Sequence, residues 1–225
     1  MNILISSDQV SVSARHALES TSSSRDALHI YGRSYRGLFQ SNKGLDGQSI
    51  QFESALARDA LRLFELAPEV TTIISEPSVI EFILEEELRR YRPDYLLHLH
   101  DGRRALVEIK YGKEAHTPTN QARYKEVGNL VEQAGGMFAV LTEEHLRTRV
   151  LQQNIPLLER HRHLEVTRSA NAWLQKNLSA SSHLSLEVAA NQLGRPIVLA
   201  AIAKGLVLVD FRNRLITNAS ILRRI

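Results

Sequence analysis

Two β-type runs, Asp94 to His100 and Ala105 to Lys110, flank the dipeptide Asp101-Gly102, and no other feature narrows the possible folds of this chain as much. Asp-Gly suits the positive φ angles of a tight hairpin turn, so the runs are expected to pair antiparallel. Asp94 then opens one strand and Glu108-Ile109-Lys110 closes the other. Side chains alternate along a strand, so Glu108 and Lys110 share a face, and the turn brings that face beside Asp94. Burying three charges together is costly unless a cation or a reacting group uses them.

The segments around this hairpin extend the pattern. Gln51 to Leu66 carries Phe52, Ala55, Leu56, Ala60, Leu63 and Leu66 at helical spacing and stops at Pro68, which predicts a helix with Glu53 in its first turn. Val70 to Ser75 and Val79 to Leu84 read as strands, and the charged tract Glu85 to Arg90 as a connecting loop. A helix over Asn120 to Ala134, ended by Gly135-Gly136, a strand over Met137 to Leu141 and a helix from Glu143 to about Gln153 follow. The expected fold is α/β, a restriction-endonuclease-like mixed sheet flanked by helices. Beyond a junction at His161 to Arg168, helices at Ala170 to Leu178, Ser185 to Leu193 and Pro196 to Lys204 precede a hairpin of Leu206 to Asp210 with Arg214 to Thr217, the order of a winged helix. The divisions are an N-terminal arm and basic segment (1–50), a nuclease-like domain (51–163) and a winged-helix-like domain (164–225).

Composition limits the chemistry. With no cysteine in 225 residues, disulfides and thiolate zinc sites are excluded, and any metal is held by carboxylates, carbonyls or histidines. Oxygen donors favour Mg²⁺, with Mn²⁺ as a substitute. A hydrophobic share of 43% supports a packed core, and a net charge of +3 permits a polyanionic partner without demanding one. Met1 to Gln9 lacks the pattern of a leader and no run is long enough to span a membrane, so the cytosol is the expected compartment.

Asp94 and Glu108, with the Ile109 carbonyl, form a hard oxygen site of the kind that holds Mg²⁺ together with waters and phosphate oxygens. Glu53 completes it as a further ligand or as an acceptor for a bound water. Lys110 is suited to stabilising charge on a phosphoryl group under attack, or to orienting the attacking water. Each piece alone also fits a solvated cross-strand ion pair. Their order, with helix-borne Glu, Pro-Asp, turn, E-x-K and long helix, favours the catalytic reading: a PD-(D/E)xK metal-dependent endonuclease with Glu53, Asp94, Glu108 and Lys110 as catalytic residues.

The stretches Phe52-Glu53-Ser54-Ala55-Leu56, Tyr91-Arg92-Pro93-Asp94-Tyr95-Leu96, Val107-Glu108-Ile109-Lys110 and Ala139-Val140-Leu141-Thr142-Glu143, with the Pro77 segment, resemble the TnsA family. That family is the endonuclease subunit of heteromeric cut-and-paste transposases. The likeness reaches upstream to Arg33-Ser34-Tyr35-Arg36-Gly37 and Ser41-Asn42-Lys43 and covers most of residues 30–225. Tyr111-Gly112-Lys113 departs from it, since many relatives follow the E-x-K motif with proline. The resemblance implies cleavage of the 5′ strand at transposon ends, alongside a DDE transposase of the TnsB type and an AAA+ regulator of the TnsC type. Arg33, Arg36, Lys43 and Lys113 are candidate phosphate contacts, and Gln121, Arg123 and Lys125 candidate DNA contacts on the long helix. The Pro196 to Lys204 helix is too apolar to read a groove and is expected to dock protein. A self-sufficient restriction or defence nuclease shares the same four residues, and a non-catalytic DNA-binding or assembly module shares the fold.

Overall fold

The structure, a computed structural model, describes residues 7–23, 35–178 and 184–224. Contacts divide the chain into two compact units, one of Met1–Glu65 with Glu69–Leu146 and one of Leu66–Pro68 with Arg147–Ile225.

The first unit is built on a four-stranded mixed sheet. Helix α1 (Ser7–Leu18) precedes the short antiparallel pair β1 (Gly37–Phe39) and β2 (Ile50–Phe52), and α2 (Ala55–Leu66) follows. Strands β3 (Val70–Ser75), β4 (Ile80–Leu84), β5 (Glu87–Tyr91), β6 (Tyr95–Leu99) and β7 (Arg104–Ile109) lead through α3 (Gly112–Ala115) and α4 (Pro118–Gln133) to β8 (Met137–Leu141) and α5 (Glu143–Leu146). The sheet order is β3-β6-β7-β8, antiparallel except for β7 with β8. The hairpin at Asp101-Gly102 forms as expected: Tyr95 pairs with Val107, His98 with Arg104, and Gly102 turns at φ +84.

Alternation assigns the two faces of the sheet. Ile74, Leu96 and Leu106 point into a core with Ala14, Ala17 and Leu18 of α1, Phe82 of β4, and Val127 and Val131 of α4. On the opposite face Tyr95 meets Phe64 of α2 edge-on, ring centroids 6.2 Å apart. Helix α1 therefore packs into this core. Leu18 sits so close to Gly136 that a Cβ there would lie 2.5 Å from its Cδ2, so the glycine that ends the turn after α4 also lets α1 seat.

Three expectations for residues up to Gln153 need correction. Glu85 to Arg90 is not a loop: Glu85 and Glu86 turn at φ 53 and 62, and β5 pairs with β4 from Leu84–Glu87 to Ile80–Tyr91. Positive φ at both turn residues matches the twist of a hairpin, but glutamates there, and four exposed residues in a row on β5, give no strand signal. Glu53 is not in the first turn of α2; it lies between β2 and the cap residue Ser54, whose Oγ accepts from Ala57 N at 2.9 Å. The helix expected from Glu143 to Gln153 breaks at Arg147-Thr148, because Thr148 caps a new helix, α6 (Arg149–Glu159).

That helix belongs to the second unit, so the compact division falls before Arg147 rather than at residue 164. Helices α7 (Arg168–Asn177), α8 (Leu186–Leu193) and α9 (Arg195–Ala203) follow, with a two-residue ladder of β9 (Leu184–Ser185) and β10 (Ile221–Leu222). The hairpin of Leu206 to Asp210 with Arg214 to Thr217 does not form. Buried Asn154 of α6 takes the carbonyls of Phe211 and Arg214, both at 2.7 Å, and the Ile216 amide at 3.0 Å, while Leu208 bridges Arg223 instead. The apolar run of α9 is not a docking face: Val198 to Ala203 are buried in this unit's core. Among the described residues no helix is long and apolar enough to cross a membrane.

Replacing Asn154 by alanine strands two buried backbone groups and a part-buried third and should cost about 3 kcal/mol. Urea unfolding of Asn154→Ala against wild type measures it; a loss below about 1 kcal/mol would mean these groups find other partners.

Candidate active site

Asp94 sits one residue before β6, opposite Glu108 of β7, and the face carrying Leu96 and Leu106 also carries both acids. Each carboxylate is held by a donor from the scaffold. Ile109 N–H donates to Asp94 Oδ2 at 2.7 Å, so a side-chain oxygen continues the ladder where the strand pairing ends. The Tyr91 hydroxyl donates to Glu108 Oε2 at 2.8 Å. Tyr91 reaches there because β5 is a strand, and its ring is braced edge-on by Tyr124 and Phe138, centroids 6.2 and 6.1 Å away.

Burial makes both acids reluctant anions, and neighbouring negative charges add to it. Desolvation, with Glu76 and Glu53 adding to it, pushes Asp94 up to about 6 against the pull of the Ile109 hydrogen bond and Lys110. Desolvation and the neighbouring Asp94 charge push Glu108 up to about 8, although Tyr91, Lys110 and Arg123 all favour its anion. The phenol of Tyr91 is held far above its usual range, by burial first and then by Glu108. Tyr124 is pushed up to about 12, again by burial and Glu108.

Lys110 follows on the same face, its amide bonded to the Leu141 carbonyl at 3.0 Å and its ammonium 3.7 Å from Glu114. The carboxylate of Glu143 accepts from Gly112 N at 2.8 Å, which fixes the start of α3 just past Lys110. Glu53 lies further out: its side chain is 48% exposed and 3.7 Å from Arg36 Nε, though its charge still reaches Asp94. Asp94, Glu108 and Lys110 are thus brought together, with Glu53 at the margin. Among the described residues no three acid or histidine side chains converge closely enough to cage a metal. Asp94 and Glu108 are the residues that could hold a hard cation such as Mg²⁺, which takes one or two carboxylates and completes its shell with water and phosphate.

The candidate DNA contacts divide. Lys113, Gln121 and Lys125 are exposed on α3 and α4. Arg123 is half-buried and faces Glu108. Lys43 instead docks on the end of α2, Nζ 2.9 Å from the Phe64 carbonyl, and Arg36 pairs with Glu53. Arg33 lies outside the described residues.

Two members of the site escaped the sequence. Tyr91, quoted only as part of the Tyr91-Arg92-Pro93-Asp94 stretch, was given no role because it follows a tract read as a loop. Glu76 follows β3 at φ +44, donates its amide to the Asp94 carbonyl at 2.7 Å, and adds a negative charge beside the Asp94 carboxylate. An acid before proline carries no distinguishing pattern; the unusual φ of Glu76 is the signal, and only the structure supplies it.

No family model and no curated protein matches the chain.

Two outcomes follow from the raised acids. Because Asp94 and Glu108 bind protons more tightly folded than unfolded, the metal-free protein is most stable with respect to them below about pH 4 and loses that stability as pH rises through about 6 and about 8. Thermal midpoints across this range should fall, and Asp94→Asn with Glu108→Gln should flatten the slope; an equal slope in the double variant would contradict the assignment. Glu76→Gln should lower the Asp94 pKa, read from its carboxyl carbon shift by NMR, and an unmoved titration would separate the two groups.

Proposed function

We propose that this chain is a metal-dependent DNA endonuclease of the PD-(D/E)xK type that acts as the strand-cutting subunit of a TnsA-like transposase. The observation that carries it is the pair Asp94 and Glu108: two buried acids, each oriented by a built-in donor, raised by burial and Glu108 further by its partner, with Lys110 on the same face. Lys110 and, at Glu108, Arg123 favour the anions, yet both acids stay raised, so the pair gains from a further cation supplied from outside, which supports a role in holding Mg²⁺ or Mn²⁺.

The ion, when bound, neutralises charge on the scissile phosphate and lowers the pKa of the attacking water. Ile109 N–H keeps Asp94 from rotating, and Tyr91 does the same for Glu108, so their remaining oxygens stay available to a cation. Lys110 contributes a point charge at the phosphoryl oxygens or orients the water. Glu53 swings in as an additional acceptor only if the contact with Arg36 opens, since no three-ligand cage exists among the described residues.

The mixed sheet flanked by helices supports a restriction-endonuclease-like fold for the first unit, and α7, α8 and α9 with a short ladder, packed in one unit with α6, support a winged-helix-like second unit. With the α9 run buried, that unit is assigned to assembly with an AAA+ regulator through its other surfaces rather than to groove reading. The 5′ strand at a transposon end is the proposed target, cut alongside a DDE transposase.

Purified protein with Mg²⁺ and a duplex carrying the transposon end, with and without the partner transposase, tests this. Asp94→Asn and Lys110→Ala should each reduce scission by about a hundredfold or more while the fold persists. Unchanged cutting in both variants would refute the mechanism, and full cutting without the partner would assign the chain to the self-sufficient nucleases.

A further inference from the structure

We propose that the cleft between the β4–β5 hairpin and the start of α4 seats the phosphate backbone of the DNA strand running to or from the Asp94–Glu108 pair. This rests on the endonuclease reading above. The cleft has a volume of about 840 Å³, and its lining includes Arg89 and Arg90 of β5, Arg123 and Thr119 of α4, Phe82 of β4, and the acid Glu85 at the hairpin turn.

Three features converge on a polyanion. Arg89 of β5 and Arg123 of α4 bring arginines from two separate elements to a lining with one acid, Glu85, while Arg90, opposite Glu81 on the other face of the hairpin, borders it, and guanidinium is the side chain best matched to phosphate. The cleft is also lined by Pro118 and Thr119, the first residues of a 16-residue helix, so the positive end of that helix adds to the field. Arg89 and Arg90 are held at present by Glu87 and Glu81, at 2.5 and 3.0 Å, in solvent-exposed pairs that phosphate can displace.

Continuity with the site selects nucleic acid over other anions. Arg89 pairs with Phe82 and Tyr91 with Ile80, so Arg89 and Tyr91 stand on one face of the hairpin, two residues or about 7 Å apart. Tyr91 ends on Glu108, and Arg123 both lines the cleft and faces Glu108. A phosphodiester chain held at the carboxylates must continue past them, and this cleft gathers cationic side chains beside them. An acidic peptide would share the charge but not the need to pass through the catalytic pair.

The test uses the full chain, a fluorescein-labelled mixed-sequence DNA duplex and a labelled polyglutamate peptide, with anisotropy read in EDTA over a range of KCl. Arg89→Ala with Arg90→Ala should weaken duplex binding roughly tenfold and reduce the slope of log affinity on log salt by about 0.9 for each phosphate no longer neutralised. Lys176→Ala, an exposed change in the second unit, should alter neither. Circular dichroism melts check that the double variant folds; if it does not, Arg89→Gln and Arg90→Gln are read singly. Wild-type affinity and slope in the folded variants overturn the proposal, as does a polyglutamate affinity that depends on these arginines when duplex affinity does not. Strand scission with Mg²⁺ is scored on the same preparations. Arginine-dependent duplex binding without any cutting leaves the cleft standing and removes the nuclease reading, whereas cutting with arginine-independent binding removes the cleft alone.

Discussion

Asp94 and Glu108 stand side by side on a largely buried sheet face because each is met by a proton donor that the scaffold cannot withhold. The Ile109 amide reaches Asp94 only in the observed register of β6 and β7, where Tyr95 faces Val107. A slip of one residue between these strands would put the two acids on opposite faces and take the amide away from Asp94. The Tyr91 hydroxyl reaches Glu108 only because β5 pairs with β4 and the Tyr124 and Phe138 rings brace it. Much of the first unit can be read as support for these two hydrogen bonds.

The arrangement is not the most stable one available to the fold. Two neighbouring acids held away from water destabilise the folded chain at neutral pH, where the unfolded chain releases both protons freely, and apolar residues at the same positions would pack without that cost. Glu76 adds to it, through a third negative charge and a backbone conformation that few side chains adopt willingly. Concentrated strain of this kind is expected where a site is prepared for a charge that arrives with its ligand. Lys110 and Arg123 offset part of the repulsion without abolishing it.

Helix α4 links the acids to their surroundings. Its buried side packs Val127 and Val131 against the sheet, and it also carries Tyr124, which braces Tyr91, and Arg123, which faces Glu108. Its start is fixed by Thr117 and by Asn120, whose side chain holds the Glu114 carbonyl at 2.8 Å. The same helix therefore serves the core, the carboxylate pair and the arginine-lined cleft from one stretch, with Tyr124, Val127 and Val131 sharing a face at i, i+3 and i+7 and Arg123 beside them.

What the sequence determined by itself was whatever depends on local chemistry. Asp101-Gly102 dictated the hairpin, strand alternation put Asp94, Glu108 and Lys110 on one face, and Gly135-Gly136 ended the long helix. Residues whose role depends on distant partners were not legible there. Glu53 reads as helical until Ser54 takes the cap, and Glu85-Glu86 reads as loop until the rest of the hairpin holds two glutamates at positive φ. Asn154 gives no hint that it will capture backbone from residues 211 to 216 and cancel a hairpin. Tyr91 and Glu76 joined the acids only in the tertiary structure, because burial, register and charge proximity arise between segments far apart in the chain, and no local pattern encodes the free energy of bringing them together.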